Sequence, residues 1–265
     1  MQLFDRFEEI SIEVRDKVAI VTLNHPEMRN ALTSRLVREL LTAIPELDVE
    51  EGIHAIMLTG SGSAFCSGGD IGEFSEIMKK SAPELYQEAR LSTPLFELGA
   101  RVRTPLIAAV NGSALGGGCG LVAMCHLAIA SERAKFGLTE LKLGLVPFVI
   151  LPWIRRVVGE KNALRMMLSA DVFSAQEAKD LGLVYAVVAH DELLPSAHKL
   201  ASKIASYSPL AVRMSLDSFY TTENLAFHES LEYLSSLRII SFLSEDLREG
   251  ATSFLEKRKP EWKGR

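Results

Sequence analysis

Residues Ile10 to Val14 and Val18 to Leu23 are rich in β-branched side chains and largely alternate apolar with polar positions. Asp16-Lys17 lies between the two runs. That spacing predicts an antiparallel hairpin. His25-Pro26 ends the second run, because proline cannot continue a strand ladder. From Ser34 to Ile44 the apolar residues Leu36, Leu40, Leu41 and Ile44 fall on one helical face, with Thr33 or Ser34 as N-cap. Pro45 is expected to end or kink this helix. Ile53 to Leu58 reads as a buried strand running into the small-residue loop Gly60-Ser61-Gly62-Ser63. Pro83 to Val102 has a helical pattern. Leu106 to Val110 is another buried strand, leading through Asn111-Gly112 into Gly116-Gly117-Gly118 and a helix ending near His126. Leu127 to Ala130 is a strand again.

Strands alternating with helices imply βαβ units, mostly parallel pairing and an α/β fold. The units recur loosely at Val18 to Ile44, Ile53 to Met78 and Leu106 to His126, without a tight sequence repeat. After about residue 190 the strands stop, and Asp191 to Arg258 is almost wholly helical in pattern, with Ser208-Pro209 as the expected break. The division expected is therefore residues 1–190 as core and 191–265 as a helical region. Phe219, Leu225, Phe227, Leu231, Leu234, Phe242 and Phe254 are too many large apolar residues for a solvated arm. They point to a packed subdomain or an oligomerisation surface.

Composition narrows the classes of function. The chain has 265 residues, 48% hydrophobic and 24% charged, with a formal net charge of −5. This suits one large domain or a domain with an appendage. It argues against a general nucleic-acid or anionic-membrane surface. The cysteines Cys66, Cys119 and Cys125 show no metal-ligand spacing, so no metal is expected and they read as reduced thiols of a cytoplasmic protein. The opening residues MQLFDRFEEI are acidic and lack the apolar run of a signal peptide. The longest apolar stretch, Leu106 to Leu115, is broken by Asn111 and Gly112 and falls short of a membrane span.

Three segments are candidates for chemistry. Ala64-Phe65-Cys66-Ser67-Gly68-Gly69-Asp70-Ile71 follows one buried strand and precedes a helix. Val110 to Cys119, with three glycines in a row, repeats that layout. Glycines let a backbone approach a ligand closely and offer it N–H donors at a helix start. Each turn alone could equally be a tight cap or a packing device. Two N–H groups converging on one oxygen would form an oxyanion hole. There is no Gly-x-Ser-x-Gly elbow and no apparent Ser/His/Asp set, so enolate chemistry fits better than an acyl-enzyme. In the third segment, Phe136 to Gly144, Glu140 is a lone carboxylate among apolar residues. Burial would raise its pKa and make it a competent base near neutral pH. The alternatives are a surface glutamate at a helix start, or one paired with Lys142.

Taken in order, these segments resemble the crotonase (enoyl-CoA hydratase/isomerase) superfamily. The resemblance rests on Pro26-x-x-x-Asn30-Ala31-Leu32, the two glycine loops, Phe136-Gly137 with Glu140 and Gly144, Ser174-Ala175-x-x-Ala178-x-x-x-Gly182-Leu183-Val184, and Glu249-Gly250 with Phe254 to Pro260. It implies a spiral of ββα turns followed by a helical trimerisation region, assembled as a homotrimer or homohexamer. It implies an acyl-CoA thioester as substrate, with coenzyme A as part of that substrate and no prosthetic group. The two oxyanion-hole donors map onto the N–H groups of Gly69 and Gly117, and the acid/base onto Glu140. Met28, Arg29 and Ala31, with Ser67, Gly68, Asp70 and Ile71, would meet the adenosine side of coenzyme A. Lys257 would reach its phosphates, from the same or a neighbouring subunit.

The chain departs from the hydratase pattern in three places. The second glutamate typical of hydratases would fall at Gly120, which is expected to mark open space where hydratases hold water. Pro147-Phe148-Val149-Ile150 stands where many hydratases have proline and a glycine-rich turn. His126 stands where aspartate is usual, and is expected to be structural, its partial positive charge suiting a helix end. A single glutamate and a Pro-Phe pair resemble the mitochondrial-type Δ3,Δ2-enoyl-CoA isomerases. Isomerisation is therefore the expected reaction. A single-glutamate hydratase, thioester hydrolysis, decarboxylation and a non-catalytic CoA-binding subunit remain as alternatives.

Overall fold

A computed structural model describes residues 6–265. Residues 1–5, the first half of the opening segment MQLFDRFEEI, lie outside the described residues. The elements in chain order are β1 (Ile10–Arg15), β2 (Val18–Leu23), α1 (Ser34–Val49), β3 (Ala55–Gly60), β4 (Ala64–Cys66), α2 (Ile71–Ile77), α3 (Ala82–Ser92), α4 (Leu98–Arg101), β5 (Leu106–Val110) and β6 (Ser113–Leu115). Next come α5 (Gly117–Met124), β7 (Leu127–Ser131), β8 (Lys135–Gly137), α6 (Leu151–Val158), α7 (Glu160–Ser169), β9 (Phe173–Ser174), α8 (Ala175–Asp180) and β10 (Ala186–Val188). The helices α9 (Leu193–Ala205), α10 (Pro209–Thr221), α11 (Phe227–Leu243) and α12 (Glu245–Leu255) complete the chain.

The hairpin forms as its pattern predicts. Ile10 pairs with Leu23 and Arg15 with Val18, leaving Asp16 and Lys17 as a two-residue turn. Both turn residues have positive φ, as a turn matched to the twist of the strands requires. From β2 onward the pairing is parallel, in the order β1-β2-β3-β5-β7-β10. A second sheet runs β4-β6-β8-β9. The turns that begin at β3, β5 and β7 each lay a longer strand in the first sheet and a short one in the second before entering a helix. This is the spiral of ββα units that the resemblance implied. Periodicity missed β4, β6 and β8 because three residues are too few to show alternation.

Pro45 does not end α1, which runs on to Val49. Leu36, Leu40, Ala43, Ile44 and Leu47 form one buried face, and Leu47 lies beyond the proline. Burying a leucine stabilises by about 1.5–3 kcal/mol. That is comparable to the cost of an interior proline, about 3 kcal/mol. Thr33, not Ser34, is the cap: its hydroxyl accepts from the Leu36 N–H at 2.9 Å. The Pro83 to Val102 stretch is likewise not one helix. It breaks at Thr93–Glu97, a tighter turn containing Pro94, between α3 and α4.

Alternate residues of the parallel strands face two cores. Val21, Leu23, Ile56, Leu58, Leu106, Ala108 and Val110 pack towards α1 and the second sheet. Val18, Ala55, Met57, Ile107, Ala109 and Ile129 pack against Leu193, Ala197, Ala201 and Ala205 of α9. Helix α9 is thus a layer of the core. The helical region expected from residue 191 therefore begins with a helix of the core, and the next helix starts after Ala205, where Ser208 caps α10 by accepting from the Ala211 N–H. Helices α10 and α11 have no buried residues. Among the described residues, no helix is long and apolar enough to cross a membrane.

His126 is structural, but not by carrying charge. Its Nδ1 accepts from the Leu106 N–H at 2.7 Å, so Nε2 holds the proton and donates to the Gly99 carbonyl at 2.9 Å. Burial pushes its pKa down to about 4, outweighing the Gly99 bond. The ring is neutral and ties β5 to α4.

Candidate active site

The loop at Met28 to Leu32 and the loop at Ser67 to Asp70 are stitched together by backbone bonds. The Leu32 N–H donates to the Gly68 carbonyl at 2.7 Å, and the Ser67 N–H to the Arg29 carbonyl at 3.1 Å. The Ser67 hydroxyl donates to the Met28 carbonyl at 3.4 Å. Asn30 holds this junction from below and is fully buried. Its amide nitrogen donates to the carbonyls of Ser61, Ala64 and Phe65, and its Oδ1 accepts from the His25 N–H. Arg29 and Asn30 are both left-handed. Asparagine tolerates that conformation better than most residues. Sequence reasoning used Asn30 only as part of a motif. Its tolerance of positive φ was the signal that could have marked it as the organiser of the loop.

The two glycine turns abut. Gly68 has φ +95, and a Cβ there would stand 2.8 Å from the Leu115 carbonyl oxygen. A Cβ on Gly117 would lie 3.9 Å from the Gly69 nitrogen. Gly69 is exposed, and Gly117 is the first residue of α5. A first helical residue has no carbonyl one turn back to donate to. Among the described residues, neither N–H has a partner across a turn or loop. The fold thus brings two N–H groups of adjacent turns to one place, where they can serve one oxygen.

Glu140 comes from a third segment. It begins a short 3-10 turn (Glu140–Leu143) that follows β8 and closes on left-handed Gly144. Its carboxylate lies over the second glycine turn: a Cβ on Gly116 would be 3.1 Å from Glu140 Oε1 and 3.8 Å from Oε2. Oε2 is buried without a hydrogen-bond partner. Burial raises the Glu140 pKa, against a smaller opposing effect of its own backbone N–H. Among the described residues, Glu140 makes no ion pair with Lys142. The same carboxylate helps to raise the neighbouring Cys119 thiol, which burial pushes to about 12. A thiol held that high is inert.

The other candidate residues are placed less uniformly. Met28 and Arg29 are exposed beside half-buried Ser67, and exposed Ile71 opens α2. Ala31 is buried, so only its backbone can meet a ligand. Asp70 caps α2, its Oδ1 accepting from the Gly72 N–H at 2.8 Å. Lys257 lies at the end of α12 with φ 54, and among the described residues no hydrogen bond or ion pair ties it to the loops at 28–32 or 67–71.

Gly120 does not open onto free space. A Cβ there would stand 2.2 Å from Ile150 Cγ2, 2.7 Å from Ile150 Cβ and 3.0 Å from Phe96 Cε1. The expectation of a water-sized vacancy at this position is therefore corrected. The Pro147 to Ile150 segment, which replaces a glycine-rich turn, delivers the side chain that fills it.

Known proteins share this sequence pattern and fold. The family model described as enoyl-CoA hydratase/isomerase matches residues 13–265. A probable mitochondrial enoyl-CoA hydratase of Dictyostelium discoideum is 37% identical over 260 residues, covering 98% of this chain and 92% of its own. The 2,3-dehydroadipyl-CoA hydratase of Escherichia coli K12 is 35% identical, covering 97% of this chain and 99% of its own. The crystal structure of an enoyl-CoA hydratase from Bacillus anthracis superposes with a TM-score of 0.92 at 31% identity, covering 97% of this chain and 100% of that one. Fold and sequence agree along nearly the whole length, and the chain belongs to the enoyl-CoA hydratase/isomerase family of the crotonase superfamily.

Proposed function

We propose that this protein moves the double bond of a 3-enoyl-CoA to the 2-position, with Glu140 as its one proton carrier. The observation that carries the reading is the Glu140 carboxylate, partly buried over the Gly116 backbone with its Oε2 unpartnered, and the apolar wall at Gly120. The thioester oxygen accepts from the N–H groups of Gly69 and Gly117. Glu140 takes a proton from C2, and the electron pair becomes a dienolate as the double bond shifts from C3–C4 to C2–C3. Charge gathers on the thioester oxygen, where two fixed donors stabilise it. The protonated carboxyl then delivers the same proton to C4. No atom is gained or lost. The raised pKa of Glu140 suits both steps, since it strengthens the base without making its conjugate acid too weak.

The exposed Met28–Arg29 turn and the Ser67 to Ile71 loop frame the entrance on the adenosine side, and Lys257 supplies charge for the phosphates of coenzyme A. The acyl-CoA is the only small-molecule partner required. Helices α10 and α11 support a homotrimer or homohexamer. Phe227, Ile239, Phe242 and Leu243 all lie more than half exposed on a single chain.

Hydration of a 2-enoyl-CoA is the second reading, favoured by the names of the relatives. Purified protein assayed against matched 2-enoyl-CoA and 3-enoyl-CoA panels separates the two. The expected result is turnover of 3-enoyl substrates with little water addition. Rapid hydration of 2-enoyl substrates without isomerisation would overturn the first reading.

A further inference from the structure

We infer that Ile150, backed by Phe96, is the specificity-determining residue that keeps water out of the reaction. The inference rests on the isomerase reading above. Gly120 stands one helical turn beyond Gly116, to whose carbonyl its N–H donates at 3.1 Å. The Gly116 backbone underlies the Glu140 carboxylate. The wall against Gly120 therefore lies one helical turn from the backbone on which that carboxylate rests. Ile150 is 1% exposed and Phe96 8%. Both are fixed from outside. Ile150 precedes α6 and accepts from the Ile154 N–H at 3.1 Å, and the Phe96 carbonyl accepts from Trp153 Nε1.

The chemistry gives this wall its meaning. Hydration places a water oxygen on C3 and a proton on C2, so a water must be held beside C3 and relieved of a proton. Two carbon side chains offer that water no hydrogen bond, and an unpartnered polar group in such a place is strongly disfavoured. With water absent, the protonated Glu140 can discharge only to carbon. The outcome at one carboxylate is thus set by the volume opposite it. Gly120 and Ile150 are complementary: the missing Cβ of one makes room for the Cγ2 of the other.

The test measures the ratio of hydration of a short 2-enoyl-CoA to isomerisation of the matching 3-enoyl-CoA. The variants are Ile150→Val, Ile150→Ala, Gly120→Glu and the double variant Gly120→Glu/Ile150→Ala. The ratio should climb from wild type through Ile150→Val to Ile150→Ala. It should rise at least about 10-fold further in the double variant, a modest share of what a positioned acid/base group contributes. Gly120→Glu alone should fold poorly, because its Cβ would stand 2.2 Å from Ile150 Cγ2, far inside van der Waals contact. If the double variant does not fold, the Ile150 series decides. A merely structural Ile150 would lower both activities together and leave the ratio flat, which would overturn the inference. Wild-type protein that hydrates rapidly defeats the isomerase reading itself. Wild-type protein that isomerises, with a flat ratio across the series, defeats only the role of Ile150.

Discussion

The Glu140 carboxylate rests on the backbone of Gly116, 3.1 Å from the point where a Cβ on that residue would be. Gly116 also has φ +50, a region side chains avoid. Gly116→Ala is therefore expected to act twice. It should cost about 1–3 kcal/mol of stability from backbone strain. It should also displace the base. The measurements are a urea midpoint and kcat at saturating 3-enoyl-CoA. Loss of kcat well beyond the loss of folded protein is the expected result, and unchanged kcat would show that the carboxylate works elsewhere.

Glu140→Gln keeps the shape and removes the base. It should lower kcat by at least about 10²-fold. The pH dependence follows from the direction of the pKa. A base must be ionised, so the wild-type rate should fall on the acid side at a pH above 4.5, the ordinary value for glutamate. Stability runs the other way. The native state keeps its proton to higher pH than the unfolded chain, so wild-type stability declines as pH rises from 4.5 through the raised pKa. Glu140→Gln lacks this decline. Its midpoint should gain on the wild type at neutral pH and match it below 4.5.

Much of this was legible in the chain and some was not, for physical reasons. The hairpin, the long strands, the N-cap of α1 and the break at Ser208-Pro209 each depend on neighbours within a few residues, and their patterns are local. Pro45 misled because its penalty is local while the burial of Leu47 that offsets it is tertiary. Helix α9 was assigned to the tail because its alanines, Ala197, Ala201 and Ala205, look bland in sequence and reveal their role only against the sheet. At the site, the segments that bear Gly69, Gly117 and Glu140 could be named from their glycines and lone charge. The filling of Gly120 by Ile150 could not, since the two are thirty residues apart and nothing local links them.

His126 gives a stability dependence that is separate from activity. Its pKa is pushed from 6.5 to about 4, chiefly by burial, with Arg103 adding to the fall and Asp48 opposing it. As pH drops below 6.5 the unfolded chain takes up a proton that the native state refuses. Stability should therefore fall between pH 6.5 and about 4, by roughly 3 kcal/mol in full. His126→Gln retains an acceptor and a donor but does not titrate. Its urea midpoint should be flatter across this window, and an unchanged slope would place the titration on another group.

Assembly is expected to follow from α10 and α11. Phe227 is 80% exposed and Leu243 68% on a single chain. Patches of this kind mark interaction surfaces. Light scattering at micromolar concentration should report a trimer or hexamer. Phe242→Asp combined with Leu243→Asp should shift it towards smaller species, whereas a monomeric wild type would remove the surface from consideration.

Gly117 separates an N–H used for binding from a glycine used for packing. A Cβ at this position would stand 2.7 Å from Leu32 Cδ1, with Gly68 Cα and Gly69 N next at 3.8 and 3.9 Å. The end of a leucine can swing aside, so the fold should accept a substituent. The gap between the two N–H groups cannot accept one without narrowing the approach of the thioester oxygen. Gly117→Val is thus expected to lower kcat/KM by about 10²-fold or more, the scale of losing one oxyanion donor. The melting temperature should move by only a few degrees, since about 1 kcal/mol shifts a protein of this size by roughly 2–4 °C. Gly118 is the internal control. A Cβ there would stand 2.1 Å from the Cys66 carbonyl oxygen, a backbone atom that cannot swing away. Gly118→Val should therefore collapse stability first and activity only as a consequence. If Gly117→Val behaves like Gly118→Val, the glycine run serves packing and the thioester oxygen is held by other groups.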